Sequence, residues 1–489
     1  MPEQNDLELL LRSQTPIVVI ESLEEPRILQ LFTRLGLRLG QAVFRWSVTE
    51  GLRRQEVNFG SEEMAPDPGH VLKHIKATTQ SGLYLLLDYH PYIQDPLHIR
   101  LIKEIAQGYA DTPRTLIFIS CRFDIPLEVR HLSARFDLKL PDRASIKRLI
   151  LEEAKAWQAR SRKPVSADPK AVEQLATNLA GISASDARRL VRSAIQDDGA
   201  IRHDDLPKVM KAKYNLINQE GVIFFEYDTA HFSDIAGLKH LKAWLETRRK
   251  LFHDNKTRLD RPKGIMLLGV QGGGKSLAAK AVAGTFGVPL LRLDFGNLYD
   301  KYIGETEKNL RLALATAETM APCILWMDEI EKGIAPTQSD DGVSQRILGT
   351  LLTWMAENRA GVFVVATSND IQRLPPELIR KGRLDEIFFV DLPNRESRRQ
   401  IFKIHLRRRN QAPSGFNLDA LEQASEGFTG AEIEQAIVSS LYAAYSREEA
   451  LTTEWLLAEL ERTSPLSVVM SEKIRRLREW AAERTVAAG

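Results

Sequence analysis

Lys263-Gly-Ile-Met-Leu-Leu-Gly-Val-Gln-Gly-Gly-Gly-Lys-Ser276 decides the reading of this chain. Ile265 to Leu268 is a short apolar run between glycines, the pattern of a fully buried strand. The glycines that follow let the backbone turn tightly and aim successive N–H groups inward. Leu277-Ala-Ala-Lys-Ala-Val-Ala then carries a helix onward. Gly269, Gly274, Lys275 and Ser276 satisfy G-x-x-x-x-G-K-[ST], with Gly272 and Gly273 inside the turn and Leu277 directly after it. Strand, glycine turn and helix start make an anion cradle, in which backbone amides and the positive end of the helix dipole face a phosphate. There Lys275 reaches the β- and γ-phosphates of ATP, and the Ser276 hydroxyl ligates Mg²⁺. A chance glycine turn would explain the loop but not the strand before it and the helix after it.

The chain downstream supplies the partners such a loop needs. Pro289-Leu-Leu-Arg-Leu-Asp-Phe295 is a strand candidate, and Cys323-Ile-Leu-Trp-Met-Asp-Glu329 is an apolar strand ending in two acids. One acid at that strand tip holds Mg²⁺, and the second orients and deprotonates the attacking water. Asp328 is therefore expected on the metal side and Glu329 as the base. Gly361-Val-Phe-Val-Val-Ala-Thr-Ser-Asn369 is a further buried strand with a polar tip, and Asn369 is placed to orient the same water. Arg380-Lys-Gly-Arg383 follows; its guanidiniums are the groups that stabilise charge on a transferring phosphoryl. Leu241, Trp244 and Leu245 form a helical stripe that reads as core.

These motifs, in this order, resemble the AAA ATPase family, in the clade of katanin, spastin and the proteasomal ATPases. The resemblance covers roughly residues 225–485. It implies a parallel α/β ATPase module with a helical lid, ATP and Mg²⁺ as cofactors, and six-membered rings. It also implies roles by position. Asp234, Ile235 and Gly237 resemble the adenine-contacting turn. Tyr302 and Ile303 resemble the aromatic pore loop that grips a threaded polypeptide. Asn369 matches the first sensor, and Arg380 and Arg383 match arginine fingers donated to a neighbour. His405 matches a histidine near the nucleotide sugar, and Gly430-Ala431 the second sensor motif. Two departures stand out: Val270-Gln271 replace the usual prolines of the loop, and Ile330-Glu-Lys-Gly follows Glu329 without the usual basic turn. The opening Leu7-Glu-Leu-Leu-Leu-Arg-Ser-Gln-Thr-Pro-Ile-Val-Val-Ile20, with Leu268–Ser276 and Cys323–Ile330, is similar to the AAA protein family encoded in cyanobacterial and red-algal chloroplast genomes. That resemblance spans nearly the whole chain.

Strand candidates at 15–21, 82–88 and 115–120, with helical patterns at 7–11, 27–39 and 97–108, predict a second α/β sheet in the first part of the chain. Leu140-Pro-Asp-Arg-Ala-Ser resembles Leu392-Pro-Asn-Arg-Glu-Ser, and Gly181-Ile-Ser-Ala-Ser-Asp186 resembles Gly427-Phe-Thr-Gly-Ala-Glu432. Recurring in the same order, they suggest a tandem duplication. The first copy has lost its chemistry: Glu21-Ser-Leu-Glu-Glu-Pro26 stands where a phosphate loop belongs, and three carboxylates repel phosphate. Asp88 ends its strand, but Tyr89 follows where a catalytic glutamate is expected. The expected domains are a degenerate AAA-like α/β domain over 1–140, its small helical lid over 141–200 and a linker over 201–230. The large ATPase subdomain follows over 231–392, and a helical lid with a C-terminal helix over 393–489.

Composition bounds the function. The 489 residues exceed one core, and 67 basic against 65 acidic residues give a net charge of +2. That balance argues against nucleic acid as partner, although Arg407-Arg408-Arg409 is a local basic run. Two cysteines without ligand spacing point to a reducing compartment, the cytoplasm, or the chloroplast stroma if the resemblance to plastid-encoded proteins holds for its origin. No apolar run is long enough to span a membrane, and no H-E-x-x-H signals a protease. Two functions remain: an ATP-driven ring that threads or remodels a protein, or an ATP-dependent switch that assembles partners without threading.

Overall fold

The computed structural model describes residues 2–55, 66–218, 222–226, 235–253, 259–298, 305–334, 342–380 and 382–489. Asp234, Tyr302 and Ile303 lie outside the described residues. Backbone contacts divide the chain into two units, Met1–Leu149 with Ile182–Arg189, and Ile150–Gly181 with Leu190–Gly489.

In the first unit β1 (Ile17–Glu21), β2 (Ala42–Ser47), β3 (Gly51–Arg54), β4 (Gly82–Leu87), β5 (Arg114–Ser120) and β6 (Ser133–Arg135) form one sheet in the order β3-β2-β4-β5-β1-β6. All pairings are parallel except β2 with β3. β4 and β5 are buried along their whole length, as strands covered on both faces must be. One face packs Trp46, Tyr89 and Phe118 against Ile75 and Ile102 of helices Pro68–Ala77 and Pro96–Gln107. The other packs Val18 and Leu85 against Leu7 and Phe32 of helices Pro2–Arg12 and Glu25–Leu39.

In the second unit β7 (Ser166–Ala167) and β8 (Ala200–Ile201) pair with each other. The main sheet holds β9 (Ile223–Glu226), β10 (Gly264–Gly269), β11 (Leu290–Leu293), β12 (Cys323–Met327), β13 (Val362–Ser368), β14 (Glu386–Val390) and β15 (Val486–Ala487). Their order is β15-β14-β10-β13-β12-β11-β9. One face carries Ala278, Val282 and Phe286 of helix Lys275–Phe286, together with Leu241 and Leu245. Those two leucines are fully buried and Trp244 meets the Phe388 ring at 5.6 Å, so the stripe is core. The opposite face carries Leu310 and Leu314 of helix Glu305–Met320 and Ile347 and Leu351 of helix Val343–Glu357. Helices Arg395–Arg408, Leu418–Ala424, Gly430–Ser446 and Thr453–Arg462 have a core of their own around Phe402, Ile433 and Leu456. The chain then returns, burying Leu477 of helix Ser471–Ala482 in the main core and adding β15 to β14.

The two sheets share one topology. β6-β1-β5-β4-β2 runs in the same sense as β14-β10-β13-β12-β11, and each sheet adds one antiparallel strand at the same end, β3 or β9.

The stretch 201–230 is not a linker. It holds helix Asp205–Ile217 and β9, which closes the ATPase sheet, and Phe225 packs on Tyr214 with ring centroids 5.6 Å apart. The helices expected as a lid of the first unit divide differently too: of residues 141–200, only those up to Leu149 and Ile182–Arg189 cluster with that unit. Fully buried Lys213 is the reason on the other side. Its Nζ donates to the carbonyls of Asn178 at 2.7 Å, Ala180 at 2.9 Å and Thr319 at 2.7 Å, tying the helical segment to the end of helix Glu305–Met320.

Candidate active site

β10 is buried at every residue and ends in Gly269, packed so closely on β14 that a side chain there would meet the Val390 carbonyl at 2.0 Å. Gly272 and Gly274 take φ of +74° and +95°, which only glycine adopts without strain, and Gly274 caps helix Lys275–Phe286. The loop therefore ends with free amides at a helix start, as the sequence predicts. Lys275 is buried, and its Nζ donates to the carbonyls of Gly269 at 3.0 Å and Val270 at 2.8 Å. Burial pushes its pKa down to about 8, against the pull of Glu331, Asp328 and Glu329. Ser276 is exposed, and Leu277 half-buried.

β12 delivers the two acids beside β13. Thr367 on β13 donates its hydroxyl to Asp328 at 2.5 Å and accepts the Glu329 N–H at 2.9 Å, so one threonine fixes both. Glu329 has φ of +46°, a costly conformation for a non-glycine residue and one that clusters at functional sites. Asn369 Nδ2 donates to Glu329 Oε1 at 2.7 Å, and the other carboxylate oxygen pairs with Lys332. That hydrogen bond, with the Coulomb attraction, raises the Lys332 pKa. Glu331 is buried and accepts the Asn369 N–H at 3.0 Å. Glu331 Oε2 and Asn369 Oδ1 are buried acceptors with no partner. Thr367, Glu331 and Lys332 were not singled out in the sequence; their signal is the polar tip of β13 and the acid three residues after Asp328.

The lid motif reaches the loop. Thr429 caps helix Gly430–Ser446 with a capping box to Glu432, and the Ala431 N–H donates to the Gly272 carbonyl at 3.4 Å. Gly237, with φ of +74°, lies against Ser397 of the lid, where an added Cβ would meet Oγ at 2.8 Å; Ile235 packs partly buried in the core behind helix Lys275–Phe286. His405 is buried between lid helices, 3.3 Å from Glu434, and burial lowers its pKa against the pull of that carboxylate. Arg380 is exposed beside Trp480, and Arg383 donates to the Glu377 carbonyl. The structure thus brings together Gly269 to Ser276, Asp328, Glu329, Asn369 and Gly430-Ala431, and leaves the two arginines turned to the surface.

The residues fit the expected dication by their chemistry. The Ser276 hydroxyl and the Asp328 carboxylate are hard oxygen donors. Among the described residues no group of three His, Cys, Asp or Glu has metal-holding geometry, so no all-protein cage competes.

In the first unit β1 reaches its helix through Ser22, Leu23 and Glu24 alone, so the phosphate loop is absent. The register corrects the reading of Asp88. Counting back from Ser120 and Ser368, which pair with Glu21 and Leu268, Asp88 aligns with Glu329 and Leu87 with Asp328. Asp88 also shares the positive φ, +48°. The acid that is missing is the metal-side one.

Comparison with known proteins agrees with this geometry. Residues 265–392 match the ATPase family associated with various cellular activities (AAA). Residues 3–138 match the N-terminal domain, and residues 144–220 the second domain, of SpoVK-like AAA ATPases. The chain is 35% identical to the AAA domain-containing protein ycf46 of Pyropia yezoensis, over 98% of this chain and 97% of that one. It is 34% identical to that of Guillardia theta, over 98% and 94%. The chain belongs to the ycf46 family of AAA proteins. A cell division cycle protein 48 homolog of Archaeoglobus fulgidus is 33% identical over 43% of this chain and 30% of its own length. The likeness to that more distant AAA protein covers less than half of the chain, whereas the ycf46 likeness includes the first unit. Membership gives nucleotide binding and an ATPase module. No helix among the described residues is long and apolar enough to cross a membrane.

Proposed function

We propose that this AAA protein hydrolyses ATP at the loop Gly269–Ser276 and uses the cycle to remodel or thread a protein as a homo-oligomeric ring. The observation that carries the reading is Glu329, held by Asn369 Nδ2 at 2.7 Å and by Thr367 through its N–H, at the strand tip next to a buried Lys275. Lys275 and the amides at the start of helix Lys275–Phe286 hold phosphate. Ser276 and Asp328 hold Mg²⁺, which when bound neutralises charge on the phosphate oxygens. Glu329 takes the proton of the attacking water, and Asn369 orients that water. Asn369 Oδ1 and Glu331 Oε2, which lack donors of their own, suit a water molecule as hydrogen-bond partner. Arg380, which is exposed, and Arg383, which is half-buried, act on the nucleotide of a neighbouring chain. Asp234 to Gly237 and His405 border the adenosine, and Tyr302-Ile303 grips the polypeptide. The shared sheet topology supports a tandem AAA origin for the first unit. The protein works in the cytoplasm or in a plastid stroma.

The test is Glu329→Gln. The variant binds ATP but turns it over very slowly, and its mass in solution is that of a ring of about six chains with ATP and not with ADP. Unchanged turnover places the base elsewhere. A monomer or dimer under both conditions leaves Arg380 and Arg383 without a phosphate to meet and favours the switch without threading.

A further inference from the structure

The first unit keeps the sheet order of the ATPase unit and places a buried carboxylate, Glu24, where the ATPase unit has its glycine loop. Glu24 is the residue before helix Glu25–Leu39 and is 5% exposed. Its carboxylate accepts the backbone N–H of Ala184 and pairs with Arg27 at 2.5 Å, and its own N–H donates to Ser22 Oγ at 3.0 Å. Ala184 opens helix Ala184–Asp198. Before it, Ser183 Oγ accepts the Asp186 N–H at 3.0 Å and donates to the Asp186 carboxylate at 2.7 Å. Thr429 and Glu432 make the same pair of bonds at the start of helix Gly430–Ser446, at 3.3 and 2.9 Å. Ser183 therefore corresponds to Thr429 and Ala184 to Gly430, so the recurrence seen in the sequence is also a recurrence of geometry. In the ATPase unit this helix start lies against the glycine loop. In the first unit it lies against a carboxylate.

We propose that Glu24 is a built-in anion that replaces a nucleotide phosphate in the first unit and closes Ile182–Arg189 onto its sheet without any ligand. Glu24 stands at the start of one helix, the first amide of a second helix donates to its carboxylate, and helix starts favour negative charge. Three residues between β1 and the helix leave no loop to wrap a phosphate, so the charge must come from the chain itself. Closure of this unit is therefore permanent, and each chain binds one nucleotide, at the loop Gly269–Ser276. The stoichiometry rests on the function proposed above; the closure does not.

The experiment is hydrogen exchange on the full chain without nucleotide, comparing wild type, Glu24→Ala and Glu24→Gln. A hydrogen bond to a charged group holds back exchange by roughly 10- to 150-fold. Amides of 182–189 exchange faster by that factor in Glu24→Ala and by less in Glu24→Gln, while β4 and β5 keep their protection. Unchanged exchange of 182–189 would overturn the closure. Equal loss of protection in β4 and β5 would reduce Glu24 to a general stability residue, and equal acceleration in Glu24→Gln and Glu24→Ala would overturn the role of its charge. Separately, equilibrium titration of Glu329→Gln with ATP gives one site per chain, and two sites would overturn the vacancy of the first unit.

Discussion

Lys213→Met tests the joint between the helical segment and the ATPase core. Lys213 is fully buried, with its ammonium on three carbonyls at 2.7, 2.9 and 2.7 Å. Burial pushes its pKa down from 10.5 to about 7. A change of that size is roughly 5 kcal/mol of disfavoured charge. Methionine matches the volume and removes the charge, but leaves three carbonyls without their donor, at about 1–3 kcal/mol each. The two effects offset near pH 7, so the variant loses a few kcal/mol at most there. The pH dependence is sharper. Because the folded-state pKa lies below the unfolded one, the unfolded chain binds the extra proton. Wild-type stability therefore climbs as pH rises from about 7 towards 10.5, and falls back as pH drops to 7. Methionine does not titrate, and all other groups cancel in the comparison. The wild type's advantage over Lys213→Met, from urea unfolding of the ATPase unit, widens by about 2 kcal/mol between pH 7 and pH 9. A difference that stays flat would mean that the three carbonyls keep the proton on Lys213 against burial, and would refute the reasoning.

Other perturbations act at the candidate site. Lys332→Ala releases one oxygen of Glu329 from an exposed ion pair, so ATP turnover rises by up to about fivefold, the 1 kcal/mol upper end for such pairs, with KM for ATP unchanged; a fall in turnover would assign the ammonium to phosphate instead. Arg383→Ala lowers turnover by roughly 10³ with ATP affinity preserved in equilibrium titration, and normal turnover would remove it from the reaction. Gly269→Ala drives a Cβ towards the Val390 carbonyl, 2.0 Å away without relaxation, and costs about 1–3 kcal/mol in thermal unfolding; a neutral variant would mean that β14 yields freely.

What the sequence made legible is what depends on neighbours along the chain. The phosphate loop was readable because its glycines, lysine and serine are contiguous, and the tip of β12 because Asp328 and Glu329 end an apolar run. Asn369 was readable as the tip of a third such run. What escaped depends on partners distant in sequence. β2 buries only Val43 and Trp46, three residues apart and so without the alternation of a strand, and β9 is a four-residue edge strand inside a stretch read as linker. Thr367 matters only because β13 lies beside β12, which sets its hydroxyl between Asp328 and Glu329. Lys213 reads as a surface lysine on a helix until three carbonyls from two other segments surround it.

Glu24 is the most instructive of these cases. Counting carboxylates in Glu21-Ser-Leu-Glu-Glu-Pro26 leads to repulsion of phosphate, and from it to a first unit without nucleotide. It does not show that one carboxylate has taken over the phosphate's place, because that depends on the Ala184 N–H, far along the chain. A degenerate motif and a substituted one look alike in sequence. They differ in whether the helix start faces a negative charge of the chain's own, and here it does. The first unit is thus built to stay closed while the second meets its nucleotide.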